Sequence, residues 1–456
     1  MNAINRLLGV SDHSFYRALI RISLPVIIQQ GLNSMLFLID NIMIGQLGET
    51  SIAAVGLANQ WVFLANMFCF GICSAASIFV AQYWGKKDIE NIHRIEGITL
   101  VLSFFIALCF TISAFIKPQF VLDIYSDDPF VIALGSEYLR IVCFCYIFQA
   151  IAFAYTSILR SCGEATLPMF GTLLAVIING VCNYILIFGK LGFPAMGVRG
   201  AAIATVIANV FNVCFTVGGT YLRKLPAAAR LGELIFSPKL LKAYFKIGLP
   251  VICNEMLWSV GLSTQTMFYG MLGTKAVAAM QVYNTMDRIA FVIFIGIGTS
   301  AGVLIGNKIG EGKPDVAREY GKRFRAIAII AGLIIGAIIF AGTDAFLTIY
   351  RISDDVLLMA RQVLHAYALC IPFYVLNHMM FIGILRPGGD TIFCTKIEIF
   401  GLWLISIPLL FIAVRLLGLP LWLCYLCILP GDIFKIILAW KRVRKGLWAQ
   451  DVTSLA

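Results

Sequence analysis

Along most of the chain, long apolar runs alternate with short clusters of glycine, proline and charge. A helix needs roughly 20 apolar residues to cross a bilayer, and twelve runs reach about that length. They fall at 20–46, 53–83, 95–116, 133–157, 167–188, 200–222, 247–272, 276–306, 326–343, 359–385, 392–413 and 420–440. The second, eighth and tenth are longer than a bilayer requires, which predicts tilt or extension beyond it. The pattern predicts an all-α integral membrane protein with twelve transmembrane helices.

Composition agrees. Of 456 residues, 60% are hydrophobic and 13% charged, far from the roughly 25% charge of a soluble domain. The net charge of +11 could suggest a nucleic-acid partner, but its distribution says otherwise. On the side shared with the N-terminus, from Arg6 to Lys445, there are 24 Lys and Arg; the opposite side, including Arg351, has 6. That bias predicts an even number of spans with both termini in the cytoplasm, and it accounts for the basic charge without nucleic acid. The opening segment MNAINRLLGVSDHSFYR lacks the apolar core of a secretory signal. Cys424 and Cys427 form a C-x-x-C inside an apolar run, where they read as small packing residues. No disulfide framework is expected from the 13 cysteines.

The sequence repeats itself. Residues 22–85 align without a gap on 247–310, with 18 identities in 64 positions, among them Pro25/Pro250, Gly48/Gly273, Asn59/Asn284 and Gly85/Gly310. The register continues through Ile124-Tyr125 with Ile349-Tyr350, and at offset 226 through Arg160/Arg386, Gly163/Gly389 and Gly192/Gly418. Six spans per repeat predict two like-oriented bundles related by a pseudo-twofold axis. The lobes are expected at 1–222 and 247–456, joined by a cytoplasmic linker at 223–246. Two such halves suit alternating access.

Several segments resemble the MATE (multidrug and toxic compound extrusion) transporters of the MOP flippase superfamily. They are Ser23-Leu24-Pro25, Gly45-Gln46-Leu47-Gly48 with Ala53-Ala54-Val55-Gly56, Ala81-Gln82-Tyr83-Trp84-Gly85 and Leu159-Arg160-Ser161-Cys162-Gly163. Gly200-Ala201-Ala202-Ile203-Ala204-Thr205 and Leu385-Arg386-Pro387-Gly388-Gly389-Asp390-Thr391 complete the set. The resemblance covers nearly the whole chain. It implies an exporter of cationic or amphipathic compounds in the cell membrane, driven by an inward H⁺ or Na⁺ gradient. The expected partners are those small molecules and the lipid bilayer, with the protein acting as a monomer and needing no cofactor beyond the coupling ion.

Asp40 is the sharpest candidate residue. It stands about eight residues before Gly48, hence roughly 12 Å deep along the helix. A charged Asp at a helix centre costs about 2.5–3.5 kcal/mol on insertion scales, so such a residue normally faces an interior or wet cavity. Gln30, Asn33 and Asp40 share one helical face, with Asn41 at its edge. Asn179 and Asn183, spaced i, i+4 on the fifth span, and Thr205 on the sixth lie at a similar depth. One carboxylate, two amides and a hydroxyl in one layer suit a hard cation such as Na⁺, held by Asp40, Asn179 and Asn183, or equally a protonated carboxyl. In the MATE pattern the matching positions form a cation site. Its Na⁺-binding members carry a second acid where this chain has Asn183.

In the second half, Glu255 is an intramembrane acid aligned with Gln30. It is a candidate for coupling or cation attraction, or else for a structural pair with Arg288 or another polar neighbour. Some MATE branches pair such an acid with an Asp late on the tenth span, where this chain has Asn377 and His378. Asp287 and Arg288 are candidates to line a substrate path or to bond neighbouring helices. Lys396 and Glu398, with Asp432 and Lys435, read as solvated ends or local pairs. Pro25 can bend the first span and is a candidate hinge. There is no P-loop, no H-E-x-x-H and no Ser-His-Asp order, so neither an enzyme nor an ATP-driven pump is expected. The reading is therefore a cation-coupled antiporter. Its alternative is a lipid-linked oligosaccharide flippase of the same superfamily, which would favour a cationic cleft for pyrophosphate.

Overall fold

The computed structural model describes residues 12–123, 128–350 and 352–455. Arg6, Arg351 and the Ile124-Tyr125 pair lie outside the described residues. The helices are α1 (His13–Gly45), α2 (Glu49–Lys86), α3 (Ile89–Ile116), α4 (Pro129–Val142), α5 (Cys145–Ser161), α6 (Thr166–Phe188) and α7 (Val198–Leu222). A linker with a short turn at Leu231–Leu234 leads to α8 (Pro238–Gly270). Then follow α9 (Thr274–Gly310), α10 (Pro314–Leu347), α11 (Asp354–Leu385), α12 (Thr391–Leu416) and α13 (Leu421–Arg444). Among the described residues there are no strands. In a bilayer a helix satisfies its own backbone polar groups, which is why the apolar runs take this form.

Ten of these helices are long and apolar enough to cross a membrane by themselves, and α4 and α5 together make an eleventh. The remaining run of the sequence reading, the seventh at 247–272, corresponds to α8. It has the length, but Asn254, Glu255, Ser259 and Gln265 dilute its apolar character. The sequence predicts one span at 133–157, and there α4 and α5 meet at a bend of 49°. Neither Pro nor Gly marks the break at residues 143 and 144; instead the Thr111 hydroxyl donates to the Cys143 carbonyl at 3.0 Å. Several helices run beyond their apolar segments. Asp12 caps α1 by accepting from the Phe15 N–H, Asp88 caps α3 through Asn91 N–H, and Asp128 caps α4 ahead of Pro129.

The chain divides into two compact units. One contains residues 24–80 and 87–248; the other contains residues 12–23, 81–86 and 249–455. Helices α1, α2 and α8 thus each contribute to both. The first unit has a core of Val55, Ala58, Cys69, Ala107, Leu139 and Ala202. In the second, Phe294, Ile305, Phe324, Val363, Leu364 and Leu410 are buried. There α10 and α11 approach closely: a Cβ on Gly332 would stand 2.6 Å from the Pro372 Cα, and one on Gly336 at 2.6 Å from the Ala368 carbonyl. Small residues permit this contact between helices where lipid offers no hydrophobic drive.

The internal repeat is visible in the local backbone. Gly48 and Gly273 turn with φ of 106° and 101°, Gly163 and Gly389 with 84° and 82°, and Gly192 and Gly418 with 84° and 56°. These are the glycines that the sequence repeat pairs. All six adopt a conformation that residues with a Cβ rarely take.

Candidate functional site

In the first unit, α1 carries Asp40 and α6 carries Asn179 and Asn183. The i, i+4 spacing sets both amides on one face of α6. The Asn183 Nδ2 donates to Asp40 Oδ1 at 2.5 Å and to Asn179 Oδ1 at 2.9 Å. Asp40 is half-buried, whereas Asn179 and Asn183 are 1% and 0% exposed. One nitrogen therefore bridges the two other side chains. It leaves Asn183 Oδ1 and Asn179 Nδ2 buried without a partner among the described residues. An unsatisfied buried polar atom costs about 1–3 kcal/mol, so two within one small cluster mark a place built for something besides packing.

Thr205 joins this layer from α7, but its hydroxyl donates to the Ala201 carbonyl of its own helix at 3.0 Å. The buried Tyr138 of α4 faces both Thr205 and Asp40. Sequence reasoning missed Tyr138, because a tyrosine in an apolar run has no charge to distinguish it and the bend that ends α4 has no breaker residue. Gln30, Asn33 and Asn41 do not join the cluster. Asn33 donates to Gln30 Oε1 at 3.2 Å on the exposed face, and Asn41 donates to the Phe37 carbonyl at 2.8 Å. The buried glutamine of α1 is the neighbouring Gln29. It donates to Thr172 Oγ1 at 2.8 Å and accepts from Arg160 Nη2 at 2.5 Å. Pro25 lies inside α1, which continues through it.

The second unit is built differently. Glu255 on α8 is ion-paired with Arg386 at 2.5 Å, and both are buried, at 5% and 4% exposure. Its partner is thus the arginine that follows α11, a polar neighbour of the kind that the sequence reading left open beside Arg288. Asp287 on α9 is half-buried and accepts from the Tyr367 hydroxyl at 2.8 Å, while Arg288 is exposed. Asn377 on α11 donates to Asp432 on α13 at 2.9 Å, and its own Oδ1 is left without a partner among the described residues. Lys435 meets Asp432 at 2.9 Å and Glu398 of α12 at 3.4 Å.

These last residues correct the sequence reading. Glu398, Asp432 and Lys435 are all buried, so they are not solvated ends. Only the Asp432–Lys435 contact is the local i, i+3 pair expected. The apolar run was read as ending near residue 440, but α13 continues to Arg444, which places Asp432 and Lys435 farther from its end than expected. Lys396 is exposed, as a solvated residue should be.

Comparison with known proteins gives a consistent result. The chain matches the MatE family model twice, over residues 25–185 and 250–412. It is 25% identical over 410 residues to the probable multidrug resistance protein YoeA of Bacillus subtilis, covering 88% of each chain. It is 27% identical to the multidrug resistance protein NorM of Burkholderia vietnamiensis, over 85% of each. Its fold matches a mutant of the Vibrio cholerae MATE transporter VcmN with a TM-score of 0.87 at 18% identity, covering 96% of this chain and 98% of that one. A MATE protein crystallised in complex with MaL6 matches with a TM-score of 0.85 at 21% identity, over 100% and 99% of the two chains.

Proposed function

From the premise that this chain belongs to the MatE family of membrane transporters, we propose that it is a proton-coupled antiporter that exports cationic or amphipathic compounds by alternating access. The observation that carries the coupling role is the Asp40–Asn183–Asn179 cluster, with its two unpartnered amide atoms at membrane depth. A carboxyl there can take up a proton on one side and release it on the other. A bound ligand moves a conformational equilibrium only by its differential affinity for the two states. Asp40 must therefore change partners between them, and its single bond to Asn183 Nδ2 is the contact available to break.

The donor set favours a proton over Na⁺. A hard metal ion takes several oxygen ligands. In this cluster the atom that faces Asp40 is Asn183 Nδ2, an N–H donor that cannot ligate a cation. A carboxyl facing an amide donor suffices for taking up and releasing a proton. The multidrug names of the relatives favour drug export over lipid-linked oligosaccharide transport. The Lys and Arg bias supports cytoplasmic termini in the plasma membrane, and a monomer is sufficient for the cluster described.

The test is transport of a fluorescent lipophilic cation in liposomes, under an imposed pH gradient and then an imposed Na⁺ gradient. Transport driven by the pH gradient and lost in Asp40→Asn is expected. An Asp40→Asn protein that transports like wild type removes Asp40 from coupling, and transport driven by Na⁺ alone replaces the ion.

A further inference from the structure

The antiport reading leaves one buried acid of the first unit unused. Glu96 lies on α3, seven residues after its first, or roughly 10 Å along the helix. Its side chain is 0% exposed, and neither carboxyl oxygen has a hydrogen-bond partner among the described residues. The titratable groups facing it are the Tyr155 phenol and the Cys162 thiol. Neither is a cation. An isolated carboxylate ion in such a place is among the costliest groups a protein can bury, and the usual outcome is that it takes up a proton.

A specific structure covers this acid. The backbone of the segment between α7 and α8, residues 223–237, lies directly on α3, so that a Cβ on Gly97 would stand 2.0 Å from the Leu234 carbonyl. One turn before Glu96, His93 makes two contacts with the linker. Its Nε2 is 3.0 Å from the Pro226 carbonyl, and its Nδ1 is 3.1 Å from Glu233 Oε2. From the other side, the Tyr155 hydroxyl is 3.4 Å from that of Tyr221, which donates to the linker carbonyl of Ala229 at 2.7 Å. The polar groups thus run from Glu96 through Tyr155 and Tyr221 to the linker. The repeat does not require an acid here: at the offset of 225 that aligns the two halves, the counterpart of Glu96 is Gly321.

We propose that Glu96 is a proton-binding site in its own right, on the Lys- and Arg-rich side of the membrane, loaded and emptied through the Tyr155 and Tyr221 hydroxyls beneath the linker. On release the carboxyl turns onto the Tyr155 hydroxyl that faces it, its proton passes to that oxygen as the hydroxyl gives its own proton to Tyr221, and Tyr221 gives its proton to water. Both phenols end unchanged and Glu96 ends ionised. The site is separate from Asp40 and does not depend on the role assigned to that residue.

Infrared spectroscopy of the full-length protein in lipid tests this. Glu96→Gln keeps the size of the side chain, so the difference spectrum between wild type and variant isolates the carboxyl. A protonated C=O band is expected at neutral pH, shifting on transfer to D₂O and bleaching as the pH is raised. Tyr155→Phe should slow that exchange, and the band should persist in Asp40→Asn. Absence of the band at neutral pH would show an ionised Glu96 and overturn the proposal. So would a band that neither exchanges nor titrates while the protein remains folded, since Glu96 would then be a fixed packing group. Loss of transport in Asp40→Asn with the Glu96 band intact separates the two sites.

Discussion

Replacing Arg386 by Met should be among the most damaging single changes to the second unit. The guanidinium is buried against Glu255 at 2.5 Å and also faces Glu398. Removing one partner from a buried ion pair costs about 3–5 kcal/mol, because the other charge is left without compensation. At 1.4 kcal/mol per tenfold, the ratio of folded to unfolded protein falls by roughly 100- to 4,000-fold. Glu255→Gln should cost less, on the order of 1–3 kcal/mol, since Arg386 keeps Glu398 as a neighbour. Replacing both members of a buried pair with apolar residues of similar volume is often neutral or stabilising. The double variant Glu255→Leu/Arg386→Met should therefore be more stable than Arg386→Met alone. The assay is equilibrium unfolding in mixed micelles followed by far-ultraviolet circular dichroism. Two results would refute the reasoning: an Arg386→Met protein within about 0.5 kcal/mol of wild type, or a double variant no more stable than Arg386→Met alone.

Two further changes read other parts of the fold. Gly310→Ala should sharply lower the yield of folded protein, because its Cβ would stand 1.9 Å from the Gln82 carbonyl, a backbone atom that no side-chain rotation can move; detergent-solubilised yield by size-exclusion chromatography checks it, and wild-type yield would contradict it. The Ser14 hydroxyl, the Arg323 guanidinium and the Phe15 N–H hold the Asp12 carboxyl down at about 2, from an ordinary 3.8. A depressed carboxyl stabilises the fold above its unfolded pKa and loses that contribution as the pH falls through the folded value. The stability gap between wild type and Asp12→Asn should thus be full near neutrality and close between about pH 4 and pH 2; thermal melts across that range would oppose the assignment if the gap stayed constant.

Much of the scaffold was legible because its signals are local. A run of about 20 apolar residues predicts a helix wherever it folds, and a glycine that must turn left-handed keeps its place in both halves of the repeat. Gly163 and Gly389 therefore paired in the sequence before their φ angles were known. The Asp40–Asn183–Asn179 cluster was legible for a similar reason: an acid in an apolar span is conspicuous, and depth along a helix follows from counting. What counting does not give is azimuth. Asn33 and Asn41 lie near Asp40 along α1, yet they bond to Gln30 and to their own backbone. Tyr138 reaches the cluster from α4, a different helix from those that carry Asp40, Asn183 and Thr205. Partners 131 residues apart, as Glu255 and Arg386 are, leave no periodic trace at all.

The two repeats therefore share a backbone and differ in their electrostatics. At the position of Gln30 the second repeat has Glu255, and Arg386 stands where the first has Arg160. The arginine of the second repeat meets a carboxylate, while that of the first meets the neutral Gln29. Glu398 and Asp432 likewise share Lys435. In the first unit Asp40 meets the Asn183 amide, and Glu96 makes no ion pair among the described residues. A proton that must come and go binds best where no fixed cation already neutralises the carboxyl, since a paired carboxylate must give up its partner to be protonated. On this ground the proposed proton exchange is assigned to the first unit. Glu255→Gln should then lower stability while leaving the coupling ratio of protons to drug unchanged, whereas Asp40→Asn should abolish coupling in a protein that still folds. Proton flux and drug flux measured in the same liposomes separate the two. A Glu255→Gln protein of normal stability that transports drug without moving protons would place coupling in the second unit instead.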